Sequence, residues 1–110
     1  MKSLVITFGD KKYKAEFTRE AVKNFEGMGF TTDDLRNKYA TAIVPFFYCA
    51  LKPNHPTISM KKAQEIYDSL NNRVEFISKL MEMYAETYQS LTDENESGNA
   101  TWEANWSDEQ

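Results

Sequence analysis

The chain has 110 residues, 41% hydrophobic and 14% aromatic, enough for one domain with a modest core and too apolar for a wholly disordered chain. All 13 Lys and Arg lie in residues 1–90, leaving that part near +2, whereas residues 91–110 carry six acids and no base. A body this close to neutral argues against nucleic acid as the main partner, and a single cysteine, Cys49, excludes an internal disulfide and a cysteine-based metal cage.

The first apolar run, SLVITF, is too short for the core of a signal peptide. No later stretch approaches the roughly 20 apolar residues of a membrane span, so the chain reads as cytosolic, without a membrane partner. Residues 3–8 are apolar and β-branched, and Lys12 to Phe17 alternate, with Tyr13, Ala15 and Phe17 on one face. Gly9-Asp10-Lys11 between them suits a tight turn, so an N-terminal β-hairpin with one buried face is expected. A hairpin alone is marginal in water and needs helices or a further strand to pack on.

Thr18 is a good N-cap for a short helix over residues 19–26, which Gly27 or Gly29 ends. Thr31 and Thr32 precede Asp33 and Asp34, an acidic start suited to a second helix. Tyr39 to Leu51, YATAIVPFFYCAL, is strongly apolar, and Pro45 inside it predicts a kink or a break. Lys52 to Pro56 is a loop. Ser59 then caps a helix from Met60 to Leu70 with Ala63, Ile66, Tyr67 and Leu70 on one face, broken by Asn71 and Asn72.

The last helix, about 73 to 91, has the clearest period in the chain. Val74, Ile77, Met81, Tyr84, Tyr88 and Leu91 form one stripe, widened by Phe76, Leu80 and Met83. With Phe46, Phe47 and Tyr48 this stripe is expected to make most of the core, so that Met81→Asp would unfold the domain. Residues 92–110 replace the periodic positions with Gly, Asn, Ser and acids, and read as a mostly disordered acidic tail. The tail ends in a Trp-x-x-x-Trp motif, Trp102 and Trp106, which plugs a groove on the chain's own body, docks on another chain, or makes no specific contact in this chain. The predicted class is α+β, mainly α: a hairpin on a bundle of about four helices over residues 1–91, then the tail.

Chemistry is sparse. The lone histidine, His55, has no carboxylate or nucleophile placed beside it by sequence and is expected to hydrogen-bond in a turn. Cys49 within FFYCAL reads as a buried small hydrophobe. No acid group has metal-ligand spacing, and the four glycines are scattered, so no phosphate cradle is built. No catalytic residue, cofactor or metal is expected, and the chain reads as a protein that works by contact.

The order of features resembles a known family. The hairpin leads into FTREAVKNFEGMGF, then VPFFYCALKPNHP, the helix pair ISMKKAQEIYDSL and NRVEFISKLMEMYAETYQSL, and the acidic tail with WEANW. F-Y-x-A at Phe47 to Ala50, His55-Pro56 and W-E-x-N-W at Trp102 to Trp106 carry the resemblance. It is to small tail-assembly-chaperone-like proteins of phages and prophages of low-GC Gram-positive bacteria, and it covers nearly the whole chain. The resemblance implies a host-cytoplasmic protein, absent from the mature virion, that holds the tape-measure protein soluble and recruits tail-tube subunits. It also implies that the chain can form homo-oligomers along its client. Two further readings stay open: a structural tail or completion protein retained in the virion, and a small regulatory binding protein. Partner-binding candidates are Phe46, Phe47, Tyr48, Trp102 and Trp106.

Overall fold

The computed structural model describes residues 2–92 and 99–106. Two strands, β1 (Leu4–Phe8) and β2 (Lys11–Ala15), pair antiparallel from Leu4↔Ala15 to Phe8↔Lys11. The loop is the two residues Gly9 and Asp10, one shorter than the sequence suggests. Gly9 has φ 66°, a left-handed value that glycine takes without strain. Alternation puts Ile6 and Ala15 in the core, with Phe17 just beyond the strand, and turns Lys12 and Lys14 outward.

Five helices follow: α1 (Arg19–Gly27), α2 (Asp34–Asn37), α3 (Tyr39–Leu51), α4 (Met60–Ser69) and α5 (Arg73–Ser90). Thr18 Oγ1 accepts from the Ala21 N–H at 3.1 Å, and Ser59 Oγ accepts from the Lys62 N–H at 3.0 Å, so both predicted N-caps are in place. Gly29, φ 91°, turns the chain after α1. The second predicted helix is a single turn, α2, with the Asp34 carboxylate accepting from the Thr31 N–H at 2.9 Å.

Pro45 does not break α3, which is assigned as helix from Tyr39 to Leu51. Proline frees the carbonyl four residues back, that of Thr41, and Thr41 is exposed, so water can take the orphaned acceptor. α3 is the hub: Ala42, Phe46, Phe47, Cys49, Ala50 and Leu51 are fully buried. Phe46 meets Phe17, Phe25 and Tyr84 at centroid distances of 4.7, 5.1 and 5.4 Å, a cluster joining the hairpin, α1, α3 and α5. The fold is therefore α+β and mainly α, as the sequence predicts.

The face of α5 differs from the expectation. Ile77, Leu80, Met83 and Tyr84 are buried, while Val74, Met81, Tyr88 and Leu91 are exposed. Apolar residues occupy so much of the α5 circumference that one side packs on α1 and α3 and the other is left outside. Met81 is thus a surface residue, not a core one. No helix among the described residues is long and apolar enough to cross a membrane.

Candidate functional site

The exposed side of α5 is patterned. Val74, Met81 and Tyr88 are seven residues apart, so they lie almost in line along the helix, the spacing of a helix that seats a partner. Beside the C-terminal half of this line is a groove of about 590 Å³ between α5, α2 and the α1–α2 connection. Met81, Ala85 and Tyr88 form one wall and Thr31, Thr32 and Leu35 the other, with Phe46 and Tyr84 at the bottom. Glu26 is the one charged residue among those lining it.

Local sequence explains the shape. The glycine turn after α1 and the single turn of α2 set a thin wall opposite α5, stacked through Phe30 on Phe25 at 5.4 Å. Tyr84 belongs to the core yet reaches the groove floor. Burial pushes its phenol up to about 12, and the Glu26 carboxylate adds to the rise, so the group stays neutral in ordinary buffers. A wide, apolar groove with one carboxylate can cover an apolar helix face. It has no paired nucleophile and base.

The predicted site residues separate. Phe46 is buried and floors the groove. Phe47, about 100° further round the helix, packs inward on Phe76 and Tyr67 at 5.5 and 6.3 Å, so the fold closes it to a partner. Tyr48 is half-buried on a third side, with the Lys52 ammonium 5.5 Å from its ring centroid. Phe46, Phe47 and Tyr48 are therefore one core residue at a groove, one core residue and one surface residue, and do not form a common patch. Trp102 and Trp106 are each 86% exposed in a segment without regular structure. In this structure neither ring is seated in a groove of the body, and both are open to a groove or to another chain.

His55 does more than close a turn: its Nε2 accepts from the Lys14 N–H at 3.0 Å, and its ring lies 5.1 Å from Tyr13. Cys49 is fully buried, and burial pushes its thiol up to about 12, so it is no thiolate nucleophile. Among the described residues no group of three His, Cys, Asp or Glu could hold a metal ion.

Sequence reading missed Met81, Tyr88 and Leu35 as groove residues. The seven-residue repeat of Val74, Met81 and Tyr88 was the available signal, because a helix with two apolar sides offers one to a partner. Comparison with known proteins gives a profile match over residues 1–106 to a family described as "Domain of unknown function (DUF5055)". No curated protein and no solved structure matches the chain.

Proposed function

Since the chain belongs to the DUF5055 family over residues 1–106 of its length, we propose from its surface chemistry that it is a binding protein of the tail-assembly-chaperone type. In this reading it acts in the host cytoplasm, covers apolar helical stretches of a tape-measure protein and gives way to tail-tube subunits. What supports it is one observation: α5 exposes Met81 and Tyr88 beside an apolar groove that the fold leaves open. A helix carrying apolar residues at i, i+3, i+4 and i+7 can lay that face along the groove. Lys or Arg on its flank would meet Glu26.

The size of the groove also suits such a client. Met81 to Tyr88 spans about 10 Å of helix axis, room for about two turns of a partner. A contact that short falls at the small end of specific interfaces, where exchange is fast, and an assembly chaperone must release what it holds.

The test is co-expression with a phage tape-measure protein. The expected result is a soluble tape measure that co-purifies with the chain and is lost with Met81→Asp. A tape measure that stays insoluble, with nothing co-purifying, would sink the proposal. Finding the chain retained in purified virions would favour the structural-component reading.

A further inference from the structure

The two edges of the hairpin are finished differently. The N–H groups of Lys14 and Glu16 leave the sheet, to His55 Nε2 at 3.0 Å and the Ala50 carbonyl at 2.9 Å. Asn54 adds a long contact from Nδ2 to the Lys14 carbonyl at 3.5 Å, so the outer edge of β2 is covered by the end of α3 and the loop after it. Because Lys14 and Glu16 point away from β1, Lys11, Tyr13 and Ala15 point toward it. Their partners Phe8, Ile6 and Leu4 take the ladder bonds, and Val5 and Thr7 present N–H and C=O to the far side. Among the described residues nothing bonds to those groups.

An open edge is a template for another strand, and folded proteins usually guard it with lysine, proline, a bulge or a covering segment. Here the three lysines of the hairpin strands are all on β2, whose edge is already covered. β1 reads LVITF, with no charge and three β-branched residues in a row, and its Val5 side chain is 62% exposed. Beyond this edge lies a shelf of about 420 Å³ lined by half-buried Leu70 and Phe76 and, among polar residues, by Ser69, Asn71, Asn72 and Glu75. Lys79 lines it and also the adjoining hollow at Ser3 and Leu4, and it has no ion-pair partner among the described residues.

One segment of the chain matches the edge. Residues 101–106, TWEANW, alternate strictly: Trp102, Ala104 and Trp106 fall on one side of an extended strand, Thr101, Glu103 and Asn105 on the other. The spacing of four that would align both rings on a helix aligns them equally on a strand. In the structure this segment is not helical and both rings are bare. Trp102 to Trp106 spans five residues, the length of β1. Overall charge agrees, since the tail is strongly acidic and the body slightly basic, while at the shelf Lys79 is balanced by Glu75.

We propose that residues 101–106 of one copy add as a third strand to the open edge of β1 in a second copy, laying Trp102 and Trp106 on the Leu70–Phe76 shelf. Pairing of β1 with β1 would use the same edge without the tail, and it would survive loss of the tryptophans. With the tail as donor, each chain has one donor strand and one acceptor edge, so the contact is heterologous and copies join head to tail. The inference does not depend on the identity of the client.

Sedimentation velocity of the full-length protein over a concentration series tests it. The mass should rise from 12.8 kDa past that of a dimer, with the tryptophan emission moving to the blue. Thr7→Pro removes an outward N–H and spares the β1–β2 ladder; Trp102→Ser with Trp106→Ser removes the donor. Each variant alone should stay monomeric. An equal mixture should stop at a dimer, because it holds one sound edge and one sound donor. Val5→Asp, on an exposed side chain, replaces Thr7→Pro should that variant melt early. A parent that stays monomeric at every concentration overturns the proposal, as does blue-shifted emission from a monomer, which would place the segment on its own edge. Variants that associate like the parent overturn it too.

Discussion

The Lys14 backbone N–H donates to Nε2 of His55 at 3.0 Å, across 41 residues of sequence. The bond closes the outer edge of β2, and the Tyr13 ring packs on the same imidazole at 5.1 Å. His55→Ala should therefore loosen the hairpin by about 1–2 kcal/mol, one hydrogen bond and one ring contact. Urea unfolding measures this. A midpoint unchanged from the parent would show that the loop holds β2 without the imidazole. Client binding should persist, because none of His55, Tyr13 and Lys14 lines the groove.

Leu80 and Met81 are neighbours on α5 with opposite surroundings: Leu80 is fully buried and Met81 is 40% exposed. Leu80→Asp should unfold the domain, since an unpaired buried carboxylate costs several kcal/mol. Met81→Asp should change stability by only about 0.5 kcal/mol, the usual range for surface positions, while abolishing capture of the apolar client. Thermal melts of the two variants decide it. A Met81→Asp protein that melts as early as Leu80→Asp would return this side of α5 to the core.

This pair also shows what the sequence could and could not reveal. The caps Thr18 and Ser59, the hairpin about Gly9 and the limits of α4 and α5 were legible, because each depends on residues within a turn of one another. The inside of α5 was not. Its apolar residues cover both sides, and the choice between them rests on Phe46 and Phe25, which are distant in sequence. Periodicity fixes the angle between residues but not which angle faces the core. The role of His55 was hidden for the same reason, since its partner belongs to the other end of the domain. The fate of Pro45 turned on whether Thr41 could reach water.

Alkali should destabilise the protein in a defined window. Burial raises Tyr84 and Tyr67 from 10.0 to about 12, with the Tyr39 hydroxyl 2.9 Å from that of Tyr67 adding to its rise, and burial raises Cys49 from 9.0 to about 12. All three are neutral when protonated, so the unfolded chain loses its protons first as pH climbs. The stability they protect is complete below pH 9 and falls between there and about 12. Melting temperature against pH gives the curve, and the phenolate absorbance should show a late-ionising component from Tyr67 and Tyr84. Tyr84→Phe should soften the alkaline loss. A melting temperature flat through that window would mean that these groups ionise freely in the folded state.

Phe46 and the tail tryptophans make a matched test of where large rings matter. Phe46 is fully buried against Phe17, Phe25 and Tyr84, so Phe46→Ala should cost about 3–5 kcal/mol through lost contacts and a cavity. Trp102 and Trp106 are larger, yet each is 86% exposed, so their removal takes no packing from the domain. At concentrations where the chain is monomeric, deleting residues 92–110 should leave the melting temperature unchanged, and the parent should show the emission of solvated indole. A fall on deletion comparable with that of Phe46→Ala would mean that the rings spend their time on the body. The unchanged temperature expected here leaves a different role for two rings held in the open at a spacing of four: contact with another chain.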